Sequence, residues 1–212
     1  MDWLGQSRDA EVESVTTMRP ADATNFLALW DPTTDRPFRG KMEIDWHDVQ
    51  RLMRGEFPRL DPVVVRHAMG GQLEDIVWST YGLPIIISDR VSQILEWKEF
   101  TGWTTYPVEL YRRDGSLVPG YQVLAIVGRS GPIDWSQGHW EMKEYPAGWF
   151  PKWRGLAIAP ESWDGSDFFV PADGKTGYQF VTEPVKVALE EAGIGNLQFV
   201  PLSEIEVDKP PE

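Results

Sequence analysis

The sequence predicts an α+β fold: a mostly antiparallel sheet with a few short helices packed on it. Two observations support this prediction. Short β-branched and aromatic runs recur between turn residues, as at Val63–Val65 and Ile85–Ile87. Between them lie short helical patterns that begin at a capping residue. With 212 residues, 42% of them hydrophobic, the chain can bury a core of ordinary size.

The first ninety residues predict four strands and one helix. Residues 1–23 are polar and lack a period, which predicts an irregular lead-in. A helix is predicted over Trp46–Arg54, because Asp45 can cap its first turn and Gly55 can end it. The strands predicted here are residues 25–30, Val63–Val65, Ile76–Tyr81 and Pro84–Ile87.

The rest of the chain predicts two further helices and several strands. The helices are Asp89–Phe100, capped by Ser88, and Glu183–Ala192. Residues 129–154 are rich in Gly, Pro and Trp, and we expect a long irregular loop there. The remaining strands are expected at Tyr106–Tyr111, Tyr121–Val127, Leu156–Ala159, Asp167–Val170, Tyr178–Val181 and Leu197–Pro201, with turns at Asp114-Gly115 and Asp173-Gly174.

Two segments resemble each other at an offset of 94 positions, beginning at Ile87 and Val181. Each is predicted to form a strand, a hydroxyl cap (Ser88 or Thr182), an amphipathic helix and a second strand. The pattern indicates an internal strand–helix–strand duplication, although two ordinary well-capped helices would produce it as well. Residues 81–212 are expected to form the main domain, with residues 1–80 as an N-terminal subdomain or an extension of its sheet.

Composition excludes several classes of protein. There are 33 acidic and 20 basic residues, a net charge of −13, so we expect no nucleic acid partner and instead a basic protein partner. The chain has no cysteine, which excludes disulfides and thiolate chemistry. Neither a membrane-length apolar stretch nor a signal-peptide layout is present, so a cytoplasmic location is expected.

Short motifs between residues 82 and 202 are similar to those of a known bacterial family. They are PIIISDRVSQILE, Tyr106–Val108, Tyr121–Leu124, Ile133-Asp134, Gly165–Phe169, Phe180–Lys186 and Leu197–Phe199. They resemble the eleventh catalogued immunity family of polymorphic toxin systems, formerly a domain of unknown function. The resemblance implies an α+β protein without catalytic residues or a cofactor, which binds and neutralises a cognate toxin. Asp134, Asp167 and Phe168 occupy matching polar and aromatic positions.

Acidic groupings keep enzymatic alternatives open. Glu161, Asp164 and Asp167 lie close together in a loop that also contains Trp163, as paired carboxylates and an aromatic platform do in a glycan hydrolase. Asp45, His47 and Asp48 are grouped at a predicted helix start, where acids commonly complement the helix dipole, and a metal-binding or acid–base role is the alternative. A non-catalytic scaffold protein is a third possibility.

Five of the eleven tryptophans fall within residues 135–163, interleaved with acids. Tryptophan dominates binding hot spots, and peripheral acids accelerate association with a basic partner. Rings that fill a core beneath the loop would produce the same pattern. The predicted partner-contact residues are Asp134, Trp135, Trp140, Glu141, Glu144, Trp149, Trp153, Glu161, Trp163, Asp164 and Asp167.

Overall fold

A computed structural model describes residues 26–32, 37–58, 61–80, 82–172 and 177–210. It confirms the α+β class, with mostly antiparallel strands and short helices. The helices are α1 (Trp46–Met53), α2 (Asp89–Trp97) and α3 (Glu183–Glu191). The strands are β1 (Leu27–Trp30), β2 (Arg39–Met42), β3 (Val63–Met69), β4 (Ile76–Ser79), β5 (Gly82–Ser88), β6 (Trp103–Tyr111), β7 (Leu117–Val118), β8 (Tyr121–Ile126), β9 (Gly128–Ser130), β10 (His139–Tyr145), β11 (Gly148–Arg154), β12 (Phe168–Pro171), β13 (Phe180–Val181), β14 (Gln198–Pro201) and β15 (Glu206–Val207).

Six strands close into a barrel. The sheet runs β3-β2-β4-β5-β8-β6-β7, and a parallel pairing of β3 with β6 joins its ends. The interior is filled by a cluster that includes Phe38, Val65, Ile86, Leu110 and Val123. The ring therefore has a packed core, and only β7 extends beyond it.

A second sheet, in the order β14-β1-β13-β12-β9, lies beside the barrel. Val91 and Leu95 of α2, and Val185 and Leu189 of α3, join one buried cluster with residues from both sheets. The two helices thus fill the space between the sheet and the barrel wall. Residues before 80 contribute to both parts, because β1 lies inside the second sheet while β2, β3 and β4 form half of the barrel.

Both repeated segments form the predicted strand–helix–strand unit, and the two units share a topology. β5 and β6 flank the antiparallel strand β8, and β13 and β14 flank the antiparallel strand β1. The predicted caps differ. Ser88 accepts a hydrogen bond from the Val91 backbone N–H at 3.3 Å. Thr182 makes no capping bond, because its hydroxyl donates to the Asp167 carboxylate at 3.0 Å. The prediction of a Thr182 cap was wrong.

The prediction of an irregular loop over residues 129–154 was also wrong. The segment contains β9, a short 3-10 turn at Trp135–Gln137, and the seven-residue strands β10 and β11. Its aromatic residues favour extended backbone, and apolar residues occupy every second position at Trp140 and Met142 and at Trp149, Pro151 and Trp153, although the two strands bury neither face. A strand was predicted at Leu156–Ala159, but this segment is irregular and forms only one bridge, between Ala157 and Asp134. The predicted lead-in over residues 1–23 and the turn at Asp173-Gly174 lie outside the described residues.

Candidate binding surface

The outer face of the second sheet is covered by irregular chain. Ile133, Leu156 and Ile158, together with Leu202 and Ile205, pack on sheet residues in a third buried cluster. From this cover, β10 runs outward and β11 returns. We call residues 139–154, which comprise both strands and their Pro146-Ala147 turn, the arm.

The arm projects from the body of the protein. In the described part of the chain, β10 pairs only with β11, and β11 pairs also with the short strand β15. The arm's register runs without a shift from His139 opposite Arg154 to Tyr145 opposite Gly148. No residue of the arm is buried. A ribbon of this kind does not stabilise a core, so its side chains are available to a partner.

One face of the arm is apolar. Directly opposite residues in an antiparallel pair lie on the same face, so Trp140, Met142, Trp149, Pro151 and Trp153 share it. Trp140 is 52% exposed, Met142 is 55% exposed and Trp149 is 61% exposed. Glu144, opposite Trp149, is the acid on this face. An exposed group of large apolar side chains is typical of a protein interaction site.

Trp153 connects this face to the body. Its ring meets Trp140 edge to face, with centroids 5.4 Å apart. It also lies against Gly138, where a β-carbon would come within 2.3 Å of the indole Nε1. That nitrogen is buried and has no hydrogen-bond partner in the structure. Gly138 therefore has to be glycine for the indole to lie at the base of the arm. Trp153 fixes the apolar face to the body and is less available to a partner than Trp140 and Trp149.

The opposite face of the arm is charged but balanced. Arg154 holds Glu141 at 3.1 Å, while Lys143 pairs with Glu206 and Lys152 with Asp208. The hydrogen bond that Lys143 donates to Glu206 raises the pKa of Lys143, and the one that Arg154 donates to Glu141 raises the pKa of Arg154. The arm itself contains two acids and three bases. Its cations are therefore matched by acids of the same chain, and the aromatic surface is not strongly acidic.

The other predicted contact residues lie in the body, where they support the fold. Trp163 packs edge to face on Phe26 at 5.0 Å and donates its indole N–H to the Ser166 carbonyl at 2.9 Å. Trp135 packs beside Tyr178. Asp134 caps the Trp135–Gln137 turn, and hydrogen bonds from the hydroxyl and N–H of Ser136 lower the pKa of its carboxyl.

The three acids of the proposed hydrolase site make different contacts. Asp164 accepts from the backbone N–H of Arg129 at 2.6 Å. Asp167 accepts from the backbone N–H of Thr101 at 2.9 Å and from the hydroxyl of Thr182. Glu161 is exposed on a 3-10 turn. Two of these carboxylates thus tie together segments distant in sequence, which is a structural role.

The grouping of Asp45, His47 and Asp48 also has a structural role in the first turn of α1. Asp45 accepts a hydrogen bond from the Asp48 backbone N–H at 2.8 Å, as the capping interpretation predicts. Among the described residues, no group of three or more histidine and acidic side chains is placed to hold a metal ion.

Several features of the structure were not predicted from the sequence. Met142, Tyr145 and Phe150 belong to the arm, and the available signal was their spacing of two from Trp140, Lys143 and Lys152, respectively. A pocket of about 450 Å³ also lies between α1 and the barrel wall. Its lining includes Met42, Ile44, Trp46, Val49 and Leu83. It offers an apolar surface and one ammonium group, that of Lys41, rather than converging acids and bases.

Comparisons with known proteins add no assignment. No family model matches the chain, and no curated protein is similar to it. In the described residues, none of the helices has the length and apolar character needed to cross a membrane.

Proposed function

We propose that this protein is an immunity protein that binds a cognate toxin of a polymorphic toxin system and neutralises it stoichiometrically. The toxin contacts the apolar face of the arm. The observation that carries this proposal is the arm itself: a projecting ribbon whose tryptophan and methionine side chains are exposed although the body has ample buried core.

The resemblance of residues 82–202 to an immunity family also supports this proposal. The residues that carry the resemblance lie outside the arm. Its motifs fall in β5 and α2, in β6 and β8, and in β12 to α3 and β14, and Ile133-Asp134 lies in the irregular chain that covers the second sheet. All of these belong to the body. None falls in the arm. In this proposal the body is a scaffold, and recognition of one particular toxin resides in the arm.

The negative charge is proposed to act at a distance. The arm is close to neutral, whereas the whole chain has a net charge of −13. Exposed acids on α2 and α3 include Asp89, Glu96, Glu190 and Glu191. A basic toxin is attracted by this field, while the apolar face of the arm supplies the short-range contacts.

This division predicts how salt affects the complex. Raising the ionic strength from about 0.01 M to about 1 M shortens the Debye length from roughly 30 Å to roughly 3 Å, so long-range steering is lost. We expect the association rate constant to fall by about tenfold or more, with little change in the dissociation rate constant. Surface-based kinetics at several salt concentrations measures both. If salt changed only the dissociation rate constant, the charges would act within the bound interface and not during the approach of the two proteins.

The experiment that tests the proposal uses a cognate toxin, which we expect to be encoded beside this gene. The two purified proteins are mixed and analysed by size-exclusion chromatography with light scattering, and toxin activity is assayed at increasing molar ratios. We expect a one-to-one complex and complete inhibition near equivalence. Turnover of a glycan or another substrate by the purified chain alone, or failure to inhibit the toxin at any ratio, would overturn the proposal.

A further inference from the structure

The outer edge of β10 is unpaired in the described structure. β10 is the edge strand of the three-stranded sheet β10-β11-β15. The turn of two residues, Pro146-Ala147, closes on Tyr145 and Gly148, which stand opposite each other. A two-residue turn closes on a pair of residues that are hydrogen-bonded to each other, and such pairs alternate with non-bonded pairs along the two strands. Tyr145, Lys143 and Glu141 are therefore bonded to β11, and the residues between them are not. Trp140, Met142 and Glu144 therefore direct their backbone N–H and C=O groups away from β11.

Pro151 provides an independent check of this assignment. It stands opposite Met142 and has no backbone N–H to give to a ladder. A proline in this strand fits at a non-bonded pair, which is where the turn places it. Among the described residues nothing pairs with the other side of Met142, so its backbone can pair there.

We propose that a second copy of this chain pairs antiparallel with β10 along this edge, about a two-fold axis at Met142. The sequence of β10 is self-complementary about that point. Glu141 then lies opposite the partner's Lys143, and Lys143 lies opposite the partner's Glu141. On the other face, Trp140 lies opposite the partner's Glu144. Opposite charges directly across a strand pair stabilise it, and the two-fold axis forms each contact twice.

The edge lacks most of the features that discourage such pairing. β10 contains no proline, and its register with β11 has no bulge. Its one lysine, which would normally protect an edge, is matched by Glu141 in the proposed dimer. Within one chain Glu141 already holds Arg154 and Lys143 holds Glu206, so dimerisation links these pairs into one network.

The dimer joins the two arms into one sheet of six strands, β15-β11-β10 and its symmetry copy. The apolar faces of both arms then lie side by side, which doubles the exposed tryptophan surface. This inference concerns the chain alone and does not depend on the identity of any toxin.

Sedimentation velocity over the micromolar range tests the dimer with the full chain and no other protein. We expect the wild type to sediment at twice the monomer mass. Met142→Pro removes the outward N–H while sparing the β10–β11 ladder, and we expect it to be monomeric with a melting temperature only a few degrees lower, because the stabilisation from dimerisation is lost. The matched control Met142→Val keeps the N–H and is expected to remain dimeric. A monomeric wild type, or a dimeric Met142→Pro variant, would overturn the proposal.

A charge exchange tests the register. Glu141→Lys and Lys143→Glu each place four like charges around the axis, so each variant alone is expected to be monomeric. In an equimolar mixture, a chain with two positive charges meets a chain with two negative charges, and native mass spectrometry should detect the mixed dimer. Absence of the mixed dimer would contradict the proposed register, since disruption of the arm by either substitution would not be repaired by mixing.

Discussion

Trp149→Ala is expected to weaken toxin binding by about 30-fold or more in Kd, which corresponds to about 2 kcal/mol. Trp149 is 61% exposed near the tip of the apolar face of the arm and opposite Glu144. In the free protein its ring contributes little to stability, because most of it is in water. In a complex the same ring would be removed from water against the toxin, as the aromatic anchors of interfaces are.

Trp97→Ala is the matched control for this substitution. Trp97 is 78% exposed at the end of α2, outside the arm, and contacts Lys98. Its removal deletes the same ring from another surface, so toxin affinity is expected to stay within about threefold. Isothermal titration with both variants separates the two effects. Equal losses of affinity, or a larger loss for Trp97→Ala, would place the contact surface elsewhere.

Phe169→Ala is expected to destabilise the fold by about 3–5 kcal/mol. Phe169 is completely buried in β12. Its ring lies 4.8 Å from that of Phe26, 5.6 Å from Phe180 and 5.8 Å from Trp163. Truncation leaves a cavity where the second sheet meets its irregular cover, and three aromatic neighbours lose contacts at once.

The melting temperature is expected to fall by roughly 10 °C in Phe169→Ala. Phe150→Ala is the control, because Phe150 is 46% exposed on the arm and touches chiefly Tyr145. Its change in unfolding free energy should stay within about 0.5 kcal/mol. Chemical denaturation of both variants measures the difference. A small loss for Phe169→Ala would mean that the cover over the second sheet contributes little to stability.

The sequence predicted best those features that depend on neighbouring residues. The start of α1 at Asp45 and that of α2 at Ser88 follow from a side-chain oxygen close to unpaired helix N–H groups. Gly55 ends α1 with φ of +74°, where glycine is favoured. Each signal lies within one helical turn of its consequence.

Features set by distant contacts were not predictable in this way. The parallel pairing of β3 with β6 closes the barrel, and nothing local to either strand indicates its partner. Thr182 fits the pattern of a helix cap, but Asp167, fifteen residues earlier, takes its hydroxyl instead. A local pattern cannot show which of two good hydrogen-bonding partners lies closer in the folded chain.

The candidate surface was predicted in part. Trp140, Glu141, Glu144 and Trp149 lie together on the arm, whereas Asp164 and Asp167 are hydrogen-bonded in the body. The five tryptophans within residues 135–163 indicated a binding surface in this segment, but their number does not show which rings are exposed and which are buried. The alternation of Trp140 and Met142 with Glu141 and Lys143 indicates a strand, but it does not show whether the apolar face is covered by the body or exposed.

Shortening the arm tests the central claim most directly. Residues 142–151 are replaced by two glycines, so that the new turn closes on the hydrogen-bonded pair Glu141–Lys152, and the Trp140–Trp153 pair and the contact of β11 with β15 are kept. Because the arm ends are adjacent, the body is expected to keep its melting temperature within a few degrees. The measurement is inhibition of toxin activity by equimolar protein. We predict complete inhibition by the wild type and none by the shortened protein, and a shortened protein that still inhibits would contradict this account.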